Sequence, residues 1–130
     1  MLITMSVTAY VPDAGGINGN GRVMADGNVP QMGYTACGYR YRFGTVFEFQ
    51  SDVSEFGLPQ VVECRDRGGY ISNRNLDVVI KTGDVRRDLA LAREWGKRKI
   101  KVRIWESMEA YHTHQAALAE AASLPTDIMD

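Results

Sequence analysis

Cys64-Arg65-Asp66-Arg67-Gly68-Gly69-Tyr70-Ile71-Ser72-Asn73-Arg74-Asn75-Leu76-Asp77-Val78 is the stretch on which the fold turns. It joins the end of one strand, Gln60–Cys64, to a second, Leu76–Ile80, through a turn at Arg67-Gly68-Gly69. Asp66 sits at the turn. Asp77 lies inside an apolar strand, where alternation puts Asp77, Val79 and Lys81 on one face and Leu76, Val78 and Ile80 on the other. A carboxylate among apolar neighbours loses hydration, so its pKa rises, as a general acid at neutral pH requires. The competing reading of the same residues is a structural bridge from Asp77 to Arg67 or Arg74.

Working outward, Leu2–Tyr10 alternates, with Ile3, Met5, Val7 and Ala9 on one face. Thr45–Phe49 is a strand opened by Gly44, and Lys99–Ile104 alternates throughout. Val29–Ala36 is ambiguous. Asp84–Trp95 reads as a helix capped by Asp84 and stopped by Gly96, with Val85, Leu89, Ala92 and Trp95 as its apolar stripe. Glu106–Ala122 is a second, Ala-rich helix, ended by Pro125. No internal repeat is visible. Short strands and tight turns predict a mainly β fold, and they argue against a doubly wound sheet.

A length of 130 residues fits one domain, with a barrel over residues 1–104 and a helical tail over 105–130. The net charge of -1 hides an asymmetry. The tail carries Glu106, Glu109, Glu120, Asp127 and Asp130 with no Lys or Arg. Taking those five from the sixteen acids leaves eleven against fifteen bases, a net of +4 for the body. A mildly basic body suits an anionic polymer or is a solvated surface. Basic residues crowd Arg86–Arg103 without interleaved aromatics, which argues against nucleic acid. No segment is apolar enough to span a membrane, and Met1–Met5 does not open a signal peptide.

Other motifs are weaker. The run Gly15-Gly16-Ile17-Asn18-Gly19-Asn20-Gly21 lacks the lysine of a phosphate loop and the order of a dinucleotide loop. Only Asp13 beside it could ligate calcium. It reads as a turn or as a cleft wall that lets a polymer approach the backbone. His112 and His114 point to different sides of a helix, so no metal site is expected, and no cofactor either. Cys37 and Cys64 are one disulfide or two buried thiols.

Five pieces in order carry a resemblance. They are Thr8-Ala9-Tyr10 with the glycine loop after it, Tyr41-Arg42-Phe43-Gly44-Thr45, Asp66-Arg67-Gly68-Gly69-Tyr70-Ile71, Asn73-Arg74-Asn75-Leu76-Asp77-Val78 and Gly96-Lys97-Arg98-Lys99-Ile100-Lys101-Val102. Over residues 7–104 the chain resembles the 3D domain family, named for three aspartates and related to membrane-bound lytic transglycosylase A. The resemblance implies a six-stranded double-psi β-barrel with a groove across it, one or two short helices and, beyond the match, a C-terminal helical tail. It implies a peptidoglycan lytic transglycosylase, a carbon–oxygen lyase that cleaves the MurNAc–GlcNAc bond and leaves a 1,6-anhydro sugar. Asp77 matches the acid/base and Asp66 its support. Thr8, Tyr10, Gly16, Arg67, Gly68, Gly69 and Tyr70 are the expected sugar contacts. The family's third aspartate is replaced, because its place reads Ala36-Cys37-Gly38. Some phage-borne members look similar, with a cysteine at each matching place, and a barrel brings Cys37 and Cys64 to the groove from neighbouring elements. A Cys37–Cys64 disulfide is therefore expected.

The expected partner is the peptidoglycan glycan strand at the bacterial cell wall, reached by export or phage delivery. The alternative is a non-catalytic barrel that binds glycan or forms part of a phage particle. In the tail, Met108, Tyr111, Gln115, Leu118 and Ala122 make a thin stripe. It folds back on the barrel, docks on a second subunit or phage component, or frays.

Overall fold

The computed structural model describes residues 1–12 and 24–123. Gly16, the rest of the glycine run, Asp13, Pro125, Asp127 and Asp130 lie outside the described residues. Six strands form: β1 (Leu2–Tyr10), β2 (Tyr34–Ala36), β3 (Val46–Phe49), β4 (Val61–Asp66), β5 (Asn75–Val79) and β6 (Arg98–Trp105). They close into a barrel in the order β1-β5-β2-β4-β3-β6. Helix α1 (Val85–Trp95) lies between β5 and β6, and α2 (Met108–Ala122) follows β6. None of the described helices is long and apolar enough to cross a membrane.

Alternation sets the inside of the barrel. Met5 and Val7 are buried between Thr4, Ser6 and Thr8, and Ile100 and Val102 between Lys99, Lys101 and Arg103. Leu76 and Val78 face the core as expected, and Val79 is also fully buried, so the outer face of β5 is covered beyond Asp77. The core is aromatic: Phe47 meets Tyr41 edge to face at 5.2 Å, and Trp95 meets Phe56 at 5.0 Å. Phe56 comes from a single 3-10 turn, Ser54–Phe56, that alternation does not reveal.

Two pairs are parallel, β1 with β5 and β2 with β4; the other four are antiparallel. Exchanging β1 with β4, β2 with β5 and β3 with β6 reproduces every pairing and its direction. The two halves thus share a plan that their sequences do not show.

The inward face of α1 differs from the expected stripe. Leu89 is 37% exposed, while Asp88 and Trp95 are buried and Leu91 and Ala92 pack on the core. The cause is polar. Asp88 accepts hydrogen bonds from Thr82 N–H at 3.0 Å and from the Thr82 hydroxyl at 2.5 Å, and Trp95 Nε1 donates to the Val7 carbonyl at 2.9 Å. A buried carboxylate satisfied by two donors is tolerated, and it fixes the rotation of the helix. The ends follow expectation: the Asp84 side chain accepts from Arg87 N–H, and Gly96 stops the helix at φ 61°. Strand β2 lies in the segment that sequence pattern leaves undefined. Three residues are too few for a period, and a register shift falls between Thr35 and Ala36.

Candidate functional site

Strand register builds the site. The parallel β1–β5 pair sets Thr8 opposite Asp77, β2 sets Ala36 opposite Asp77, and the β2–β4 pair sets the same Ala36 opposite Asp66. Four adjacent strands thus present the row Thr8, Asp77, Ala36, Asp66. The exchange of halves described above maps this row onto itself, with Thr8 answering to Asp66 and Asp77 to Ala36. Only a methyl group separates the two carboxylates along the row.

Asp77 is half-buried, and burial pushes its pKa above the ordinary aspartate value. The Thr8 hydroxyl, donating to Oδ1 at 2.8 Å, pulls it down, and the charge of Asp66 pushes it up again. Asp66 is held differently. Its Oδ1 accepts from Ala25 N–H at 2.9 Å and Arg67 N–H at 2.8 Å, and its Oδ2 lies 3.4 Å from the Tyr10 hydroxyl, which donates to it. Among the described residues no hydrogen bond joins the two carboxylates, so repulsion is how one senses the other. Nor does an arginine pair with Asp77. The ion pairs among the described residues are those of Arg65 with Asp26 at 3.3 Å and Glu63 at 2.6 Å.

The site thus brings together Thr8, Tyr10, Asp66 and Asp77. Other expected contacts stand elsewhere. Arg67 turns its guanidinium away, donating to the carbonyls of Cys37 at 3.2 Å, Gly38 at 3.0 Å and Tyr41 at 2.6 Å, and it stacks over the Phe43 ring at 4.4 Å. Tyr70 is 99% exposed at the tip of the turn. Gly68 closes that turn by accepting from Ile71 N–H at 3.1 Å, and a Cβ on it would sit 2.6 Å from the Ile71 side chain; Gly69 has open space. These glycines shape the turn after Asp66, which is what the described contacts give them.

Cys37 and Cys64 form a disulfide, with Cα atoms 5.7 Å apart. Both cysteines are buried in the core, tying the end of β2 to β4 beneath the row of site residues, with Arg67 Nη1 2.8 Å from Cys37 Sγ. His112 and His114 are exposed on α2, and the His114 ring packs 4.8 Å from Trp105. No group of three potential metal ligands occurs among the described residues.

Sequence reasoning misses two contributors. Ala36 separates the carboxylates, and Ala25 lends a backbone N–H, which no side-chain pattern encodes. The clasp of Asp26 on Arg65 brings Ala25 to Asp66; a charge pair 39 residues apart leaves no local signal. No protein-family model matches the chain, and a search of curated proteins finds no match.

Proposed function

We propose that the chain is a double-psi β-barrel of the three-aspartate kind and a peptidoglycan lytic transglycosylase that acts at the bacterial cell wall. The two parallel pairs related by exchange of halves support the barrel type. The observation that carries the activity is Asp77, a half-buried carboxylate with its pKa raised by burial, on the outer face of the barrel beside a second carboxylate.

One such group suffices for this reaction. Hydrolysis generally takes two carboxylates, one of them to raise a nucleophile. Here protonated Asp77 donates to the glycosidic oxygen as the C1–O bond breaks. The sugar's own C6 hydroxyl forms the new bond to C1, and its proton returns to the Asp77 carboxylate. The nucleophile is tethered, so proximity replaces an activated water. The negative charge of Asp66 favours the protonated start and stabilises the oxocarbenium-like transition state. Thr8 keeps Asp77 oriented through both steps.

Incubation with purified sacculi, followed by mass spectrometry, tests the reading. Native protein releases 1,6-anhydro-muropeptides, and Asp77→Asn lowers the rate by at least about 10²–10⁴-fold. Wild-type release by a folded Asp77→Asn protein would falsify the assignment. A second reading, a barrel that binds glycan or serves in a phage particle without cutting, draws on the disulfide standing where the family carries its third aspartate. Sacculus binding without anhydro products would favour it.

A further inference from the structure

The outer face of the barrel does not end at Asp77. Thr4, Ser6 and Thr8 share the outer face of β1, and β6 sets Lys101 opposite Thr4 and Lys99 opposite Ser6. The Ser6 N–H donates to the Arg74 carbonyl at 2.9 Å, which pins the turn before β5 against β1. The result is a cleft of about 290 Å³ lined by Thr4, Met5, Ser6, Arg74 and Lys99. Two cations and two hydroxyls meet there. Neither Arg74 nor Lys99 is in an ion pair among the described residues, since those pairs all belong to Arg65. Glu48, which β3 sets opposite Arg103 of β6, already accepts from Trp105 Nε1 at 3.1 Å. The cleft lining holds no acidic residue, so an anion that fills it comes from outside that lining.

We infer that the cleft between Arg74 and Lys99 is a carboxylate-binding subsite for the peptide stem of the glycan that Asp77 cuts. This rests on the proposed function. Lys99 and Asp77 flank β1 on opposite sides and lie two residues apart along it. With strands about 4.8 Å apart and a rise of about 3.3 Å per residue, the separation is on the order of 12 Å. That is comparable to one disaccharide, so a strand with its scissile bond at Asp77 passes the cleft with its neighbouring repeat. The stems of that repeat carry carboxylates, the chemistry that an arginine and a lysine recognise together. The hydroxyls of Thr4 and Ser6 suit the sugar or amide groups between. No residue of the cleft is aromatic, so nothing in it would stack a nucleobase.

The test uses full-length Asp77→Asn protein and fluorescent soluble glycan strands, either bearing their stems or stripped of them by an amidase, with the lactyl carboxylates that the amidase exposes capped as methylamides. Anisotropy gives the two affinities at low and physiological salt. The stem-bearing strand should bind about five- to tenfold tighter, a factor suited to two exposed charge contacts, and salt should shrink the difference. Adding Arg74→Gln and Lys99→Gln should abolish the preference and leave the stripped strand bound as before. Equal binding of both strands by the parent, or an undiminished preference in the triple variant, overturns the subsite. So does an oligothymidylate that competes as well as the stem-bearing strand, which would mark a general polyanion surface. If native protein cleaves sacculi in any of those cases, only the subsite falls. If it binds neither strand and releases nothing, the proposed function falls with it.

Discussion

The Thr8 hydroxyl donates to Asp77 Oδ1 at 2.8 Å across the parallel β1–β5 pair, so the lone half-buried carboxylate of β5 is oriented by a neighbour that carries no charge. A hydroxyl can donate to the carboxylate and accept from the carboxylic acid. In the proposed reaction it therefore serves both states of Asp77, where an arginine would trap the ionised one.

The pH profile should separate the two influences on Asp77. The proposed cleavage needs the protonated acid, so its rate should fall as pH rises through the pKa. Thr8→Val removes a bond that stabilises the carboxylate, so the alkaline limb should move to higher pH. Asp66→Asn removes a repelling charge, and the limb should move to lower pH. Rates on glycan strands across pH check this; shifts in the same direction would refute the account.

Stability should respond in the opposite sense to activity at Asp77. The ordinary aspartate value is 3.8, and the folded value lies above it. The folded state thus holds the proton more tightly than the unfolded state. That contribution is complete below 3.8 and is lost as pH rises through the folded value. Asp77→Asn cannot ionise and keeps an oxygen for Thr8. Its midpoint should exceed that of the parent by a few degrees at pH 7, with the gap closing toward pH 3.5. Thermal melts at both pH values decide, and a variant less stable at pH 7 would contradict it.

The disulfide closes a loop of sequence separation 27. Restricting the unfolded chain that much is worth about 3 kcal/mol. Cys37→Ala with Cys64→Ala should lower the unfolding free energy in urea by about that amount. Protein unfolded in denaturant without reductant and treated with an alkylating agent should gain no label, and two labels would rule the bond out.

Arg67 should prove a support for the fold. A lysine ammonium cannot reach the carbonyls of Cys37, Gly38 and Tyr41 as the planar guanidinium does. Arg67→Lys should destabilise the barrel by roughly 2 kcal/mol. The Michaelis constant for glycan should stay within about twofold, a ratio too small to reflect a lost charged contact. A large rise in that constant with unchanged stability would restore Arg67 as a sugar contact.

A chain ending at Trp105 should keep the barrel. No residue of α2 is buried, and its ring contacts are Tyr111 and His114 against Trp105, at 5.9 and 4.8 Å. The midpoint should change by less than about 1 kcal/mol in equivalent stability, while Trp105 emission shifts red as its cover leaves. Failure to fold would make α2 part of the core.

What the sequence makes legible is local. The alternation of Met5 and Val7 with Ser6 and Thr8 shows which side of β1 faces inward, and the apolar flanks of Asp77 mark it as unusual. Neighbours across the barrel are not local. That β2 is a strand, and that Ala36 faces both Asp66 and Asp77, follows from pairing on both its edges. The rotation of α1 depends on Asp88 finding Thr82, and the direction of Arg67 depends on three carbonyls in the segment that follows β2. Side-chain type announces a carboxylate or a guanidinium; register decides what it meets.

Of the six strands, the first in chain order waits longest for its partners. Among the described residues strand β1 pairs with β5 and β6, and its Thr8 reaches a partner 68 residues downstream. Until those strands are synthesised, the apolar edge of Ile3, Met5 and Val7 has nothing to pair with. Loop closure over such separations is slow, and unpaired strands invite association with other chains. Local pairing can begin at β3 with β4, whose strands are separated by a short connection. The barrel therefore cannot close before β6 is made, and until then the apolar side chains of β1 stay open to association with other chains.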